Sequence, residues 1–167
     1  MLPTIPIDSK LVVDSASYSR GNPKRFDIIV VHRDFRNPFE TAPNYIKIVV
    51  RVVGLPGERV SIRRGHVYID GRRVTQPFQT VPCPLKGDEA LECREMSAMK
   101  VPSDSYFVLG DNRPNSSDSR FWSPQTVART DILGKVIKII PPATPNKSLD
   151  ASGGSVFRNL IDPAMLE

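Results

Sequence analysis

Eleven consecutive residues, Gly110-Asp111-Asn112-Arg113-Pro114-Asn115-Ser116-Ser117-Asp118-Ser119-Arg120, concentrate the chain's capacity for chemistry. Asp111/Arg113 and Asp118/Arg120 are acid–base pairs two residues apart, and the Asn and Ser side chains between them can hydrogen-bond nearby backbone. Such a loop has the means to fix its own shape. Rigid loops on β scaffolds often hold sites, a merely solvated loop being the plain alternative. Other conventional groups are scarce. His32 and His66 sit inside expected strands without Cys or acidic partners at metal-ligand spacing, which assigns neither to a metal nor to a triad. The sequence also contains no phosphate-cradling glycine loop. Metal, nucleotide and Ser-His-Asp chemistry therefore drop out, and no metal or cofactor is expected.

The elements that must position this loop read as short strands. Sixteen prolines and ten glycines are scattered rather than clustered, which favours many strands joined by turns over long helices. The expected class is all-β, mainly antiparallel. Apolar or alternating runs place strands over residues 10–14, 27–32, 45–53, 58–62, 66–69, 106–109 and 134–140. Gly54-Leu55-Pro56-Gly57 supplies a turn, and Arg64-Gly65 and Asp70-Gly71 supply the turns of a meander. Ser123-Pro124 offers an N-cap and a first-position proline for a helix of a turn or two. From about 76 to 99 the pattern dissolves into a polar excursion, read as a lobe inserted on the β scaffold. It holds both cysteines, Cys83 and Cys93, around a turn at Lys86-Gly87-Asp88. A disulfide closing that loop is expected outside the cytoplasm, two thiols being the alternative. The organisation is one domain over residues 1–140 and a Pro/Ser/Gly-rich tail over 141–167.

Lys and Arg outnumber Asp and Glu by 23 to 18, an excess that suits anionic lipid or nucleic acid but is too diffuse to choose between them. Arg63-Arg64 and Arg72-Arg73 flank a hairpin as solvated side chains, without an aromatic-rich RNA pattern or zinc spacing, so nucleic acid is not an expected partner. No run approaches the roughly 20 apolar residues that span a bilayer. The apolar opening Met1-Leu2-Pro3-Thr4-Ile5-Pro6-Ile7 is unlike a frayed terminus, and preceding residues are expected.

The loop resembles the Gly-Asp-Asn-Arg-x-Asn-Ser-x-Asp-Ser-Arg signature of type I signal peptidases, the serine–lysine endoproteases that remove signal peptides from exported proteins. Three further stretches match in the family's order. Met1-Leu2-Pro3-Thr4-Ile5 is similar to the end of its serine box. Asn22-Pro23-Lys24-Arg25-Phe26-Asp27-Ile28-Ile29-Val30 resembles its connecting strand, with Phe26 where glycine is usual. Tyr45-Ile46-Lys47 with Arg51-Val52-Val53-Gly54-Leu55-Pro56-Gly57-Glu58 resembles its lysine box.

The resemblance implies coiled antiparallel β-sheets with an appended lobe. It also implies a reaction in which a serine hydroxyl attacks the scissile carbonyl while a neutral lysine takes its proton. A free lysine has a pKa of about 10.4, so an apolar setting must lower that of the base. By resemblance Lys47, between Ile46 and Ile48, is that base and Ser116 orients its amine. Asp111, Asn112, Arg113, Asp118 and Arg120 support the loop, and Met1 and Pro3 border the bound peptide. The implied partners are signal peptides of exported preproteins and the membrane surface. The domain would lie on the extracytoplasmic side of the cytoplasmic membrane, with Met1 to Ile7 and Phe121-Trp122 in its apolar rim.

The sequence departs from the family pattern at several points. The family's nucleophile immediately precedes the methionine matched by Met1, so no residue here corresponds to it. Three residues, Ile48-Val49-Val50, separate Lys47 from Arg51, where the family has the arginine directly after the lysine. Counting forward from Tyr45-Ile46 puts Lys47 at the lysine position, and counting back from Gly54 puts Val50 there. The two registers differ by about 10 Å along a strand and face opposite ways, so Lys47 reaches the site only if a bulge absorbs the extra residues. Pro114 replaces a common acidic residue, a minor change of turn. Two functions follow: a signal-peptide endopeptidase, or an inactive homologue that keeps the fold as a peptide-binding or assembly module for secreted proteins.

Overall fold

The β-branched runs form ten strands among the described residues, which in this computed structural model are 1–34, 45–84 and 95–143. They are β1 (Lys10–Asp14), β2 (Ile28–Asp34), β3 (Tyr45–Gly54), β4 (Arg59–Arg63), β5 (His66–Ile69), β6 (Arg72–Arg73), β7 (Met96–Lys100), β8 (Ser105–Leu109), β9 (Val127–Ala128) and β10 (Ile132–Ile140). A six-stranded sheet has the order β1-β10-β2-β3-β8-β9 and a four-stranded sheet the order β6-β5-β4-β7. Every strand pair is antiparallel, as the composition predicts. The hairpin turns also follow the sequence. Arg64 and Gly65 have φ of 51° and 76°, and Asp70 and Gly71 have 49° and 79°, the left-handed backbone that matches strand twist in two-residue turns.

Strand β3 is the common wall of three apolar clusters, because successive side chains point to opposite faces. Val50 and Val52 pack with Ile29, Val31, Tyr106, Val108 and Trp122 on one face. On the other, Val49 packs with Met1, Val30 and Val136, while Val53 joins Phe107, Leu109 and the inner side chains Val60, Ile62, Val67 and Ile69 of the hairpin sheet. Fully burying one such side chain stabilises the fold by about 1.5–3 kcal/mol, so this sharing fixes β3 firmly in place.

Two expectations need correction. Ser123-Pro124 starts no helix: Val127 is buried and already paired with Tyr106 in β9, and the two residues between cannot form a helical turn. The helical pieces among the described residues are 3-10 turns at Arg113–Asn115 and Arg129–Asp131. The stretch from 76 to 99 is also more than a polar lobe, since β7 begins within it and pairs with β4. Val60 faces Met99 and Ile62 faces Met96, a two-residue step against a three-residue one, with the register shifting between them. That bulge removes the period-two signal. Cys83 is disulfide-bonded. Cys93 and the tail from 144 lie outside the described residues.

Candidate active site

Strand β8 delivers the loop, and the loop returns to the same strand. The Val108 amide donates to Ser119 Oγ at 2.9 Å, and the Ser119 amide donates to the Val108 carbonyl at 3.2 Å. Inside this closure Asp118, fully buried, accepts the Gly110 amide at 3.0 Å and both Nε and Nη2 of Arg120 at 2.8 Å. Arg120 also donates to the Arg113 carbonyl at 2.7 Å. Gly110 is required by packing: a Cβ there would stand 1.9 Å from Ser116 Oγ, so only glycine lets Ser116 lie against the strand.

The second acid–base pair expected from spacing is not formed. Arg113 enters its 3-10 turn and donates instead to the Gly110 carbonyl at 3.0 Å and to Gln76 Oε1. Burial pushes its pKa down to about 10, against the opposing charge of Asp118. Asp111 pairs with Arg51 of β3 through two bonds, Nε–Oδ1 at 2.8 Å and Nη2–Oδ2 at 2.6 Å. It also accepts the Thr4 hydroxyl at 2.5 Å. The chain opening, the loop and β3 thus meet at one buried carboxylate.

The supposed lobe contributes a strap across this assembly. The Val81 amide donates to the Asp111 carbonyl at 3.0 Å, and the Arg113 amide donates to the Val81 carbonyl at 3.2 Å. The Phe78 ring covers the Arg51 guanidinium at 3.8 Å, and Cys83 Sγ lies 3.9 Å from Nη1 of Arg120. Sequence reasoning missed Thr4, Gln76, Phe78, Val81 and Ser119 as parts of the site. Thr4 and Ser119 stood inside matched motifs, whereas Gln76, Phe78 and Val81 carry no signal in a featureless polar stretch.

The six residues Asp111, Asn112, Arg113, Ser116, Asp118 and Arg120 occupy this loop, with Met1 tied to it through Thr4. Met1 is buried, its side chain in the core beside Val49, while Pro3 is exposed. Lys47 lies elsewhere. Strands β2 and β3 pair without a break from Ile28 opposite Arg51 to Asp34 opposite Tyr45, which sets Lys47 opposite His32. No bulge absorbs Ile48-Val49-Val50. Leu109, the last residue of β8, is opposite Arg51, and that register carried one residue further would set Gly110 opposite Val50. Val50 is 1% exposed there, and Lys47 is half-buried on the other face, about 10 Å along the strand. Among the described residues no cluster of three or more His, Cys, Asp or Glu could hold a metal ion.

Buried carboxylate–arginine pairs thus lock a loop that holds a serine hydroxyl against an antiparallel sheet. The family model described as signal peptidase, peptidase S26, matches residues 1–140. Signal peptidase I of Leptolyngbya laminosa is 38% identical over 138 residues, covering 82% of this chain and 62% of that protein. Signal peptidase I of Bacillus caldolyticus is 36% identical over 142 residues, covering 81% and 71%. A crystal structure of a signal peptidase I from Enterococcus faecalis is 31% identical with a TM-score of 0.46, covering 69% of this chain and 97% of that one. The chain belongs to the signal peptidase family, peptidase S26. It spans 62% of the length of the Leptolyngbya laminosa protein and 56% of that of a probable signal peptidase I-2 from Synechocystis, which is 34% identical over 138 residues.

Proposed function

We propose that this domain acts on signal peptides of exported preproteins as a serine endopeptidase of the type I signal peptidase class. The observation that carries this reading is the convergence of Thr4, Arg51 and the Gly110–Arg120 loop on Asp111. That junction ties the backbone after Met1 to the loop that carries Ser116. Lys47 is the general base of this reading, and its amine reaches Ser116 only if β3 slips by three residues against β2. An odd slip turns Lys47 to the required face but breaks seven pairs.

One observation favours a second reading, a homologue that grips signal peptides without cutting them: the β3 residue next to Arg51, which the β3–β8 register carried one step further would set opposite Gly110, is buried Val50 and not a lysine. The test extends the chain by Ser-Gly-Ser before Met1 and supplies a peptide with Ala at −3 and −1. Cleavage that Lys47→Ala abolishes supports the enzyme, and binding without cleavage supports the gripping module. A chain that neither binds nor cleaves the peptide sinks both.

The site of action we propose is the outer face of the cytoplasmic membrane. Among the described residues no helix is long and apolar enough to cross a membrane. Of the apolar rim expected from sequence, Phe121 is exposed but Met1 and Trp122 are buried. The β1–β10 surface is better suited: Val12, Ile137 and Ile140 are exposed there, with Lys10 opposite Ile140 and Lys138 opposite Val12. Apolar side chains flanked by lysines suit an anionic interface. Co-sedimentation with vesicles containing anionic lipid should fall in Ile137→Asp, and equal binding by that variant would reject this surface.

A further inference from the structure

Phe26 stands where the resemblance places glycine, and its backbone has the glycine-type φ of 73°, a sparsely populated conformation for a side chain of this size. Its ring meets the Phe78 ring edge-on, with centroids 5.3 Å apart and planes at 68°. The Phe78 face lies 3.8 Å from Cζ of Arg51, and the Arg51 Nη1 donates to the Phe26 carbonyl at 2.9 Å. The contacts close a ring from Phe26 to Phe78 to Arg51 and back to Phe26. The Phe26 amide, bonded to the Val52 carbonyl at 2.7 Å, anchors that ring to β3.

We propose that Phe26 and Phe78 form an aromatic clamp over Arg51, and that both are positioning residues for the Asp111 junction. Both rings are half-buried, while the guanidinium beneath them is buried, with two bonds to Asp111, one to the Phe26 carbonyl and a longer one to the Thr4 hydroxyl at 3.4 Å. A cation held against a ring face with little water around it is attracted by the ring quadrupole, and the edge-on second ring holds the first in place. Through Arg51 the clamp sets Asp111, and through Asp111 it sets Thr4 and the start of the loop. It therefore couples residues of the 76–84 strap to the site without touching the reacting atoms. The strained backbone of Phe26 persists because its side chain completes the clamp.

The inference rests on the signal-peptide reading only for its second readout. Amide hydrogen exchange over 110–120 in Phe78→Leu, which keeps an apolar side chain but removes the ring, should quicken roughly three- to tenfold, as expected for loss of a desolvated cation–π contact. Phe78→Tyr, which restores the ring, should return it to the parent rate. Unchanged exchange in Phe78→Leu overturns the clamp, and so does a quickening that Tyr fails to rescue, since that marks mere filling of space. Should Phe78→Leu not fold, Phe26→Gly reads the clamp from its other ring: the backbone strain is relieved, yet exchange over 110–120 should rise, and a tighter loop overturns the proposal. Affinity for an Ala-x-Ala signal peptide, measured on the same proteins, should weaken in step with exchange. Failure of the signal-peptide reading would leave the exchange pattern intact while the parent protein binds no such peptide.

Discussion

The two ends of β3 are built differently. At the Arg51 end the strand pairs with both β2 and β8, and its guanidinium is bound to Asp111, to the Phe26 carbonyl and to the Phe78 ring. At the Lys47 end the strand pairs with β2, Lys47 standing opposite His32. The resemblance asks for a lysine beside Ser116, at the first of these ends, and the strand offers it three residues away on the other face. A framework for the reaction and the amine that would run it are therefore separated within one strand.

The largest test of that contrast moves the amine to the framework. In the Ser-Gly-Ser-extended chain, Val50→Lys should raise signal-peptide cleavage by about a hundred- to ten-thousand-fold, the usual contribution of a positioned base. The apolar neighbours of Val50 would lower the pKa of that lysine by desolvation, which is the condition a neutral base requires. Single-turnover assays from pH 6 to 9 would measure it, with Val50→Met as the size control. Cleavage in the parent extended chain equal to that of Val50→Lys would show that Lys47 already serves, and the contrast would fail.

A second test compares the ends by stability. Arg51→Ala leaves the Asp111 carboxylate, 1% exposed, without its paired charge, and Asp118→Ala removes the buried carboxylate that accepts Nε and Nη2 of Arg120. Each should cost about 3–5 kcal/mol in urea unfolding, the range for one partner removed from a buried ion pair. Lys47→Ala should cost no more than about 1 kcal/mol, as half-buried strand positions without a buried pair do. Comparable losses at Lys47 and Arg51 would mean that the Lys47 end carries constraint that the strand pairing does not reveal.

What the sequence made legible follows the same division. Strand positions and hairpin turns could be read because alternating apolar residues and Asp-Gly or Arg-Gly pairs act locally. The Asp118/Arg120 pair was likewise local. The Asp111–Arg51 pair was hidden because its partners are sixty positions apart and the nearer Arg113 competes for the assignment. Strand β7 was hidden by a bulge, and the strap by polar residues whose contacts arise only once Val81 lies beside Asn112. The Lys47/Val50 ambiguity had the opposite character. Two local motifs each fixed a register, and only an unbroken β2–β3 ladder showed how the strand lies between them.

The smallest test uses pH at the Arg51 end, where Asp27 immediately precedes β2. Its carbonyl accepts the Val52 amide at 2.9 Å, and its carboxylate accepts Lys135, the Lys24 amide and the Tyr18 hydroxyl at 2.7, 3.0 and 2.9 Å. Burial alone would raise the carboxyl, but the hydrogen bonds from Lys135, Lys24 and Tyr18 outweigh it and hold the group below its ordinary value. Burial and the Asp27 charge correspondingly push the Tyr18 phenol up. A carboxyl depressed in the folded state binds its proton more weakly there than in the unfolded chain. Its contribution is therefore complete above the unfolded pKa of about 3.9 and is lost as pH falls through the lower folded value. Asp27→Asn should flatten that part of the acid limb in urea midpoints measured from pH 6 to pH 3, and leave the midpoint at pH 6 only modestly reduced because Lys135 is partly exposed. An acid limb as steep as the parent's would assign the pH dependence to other carboxylates and leave Asp27 a backbone contact of β3.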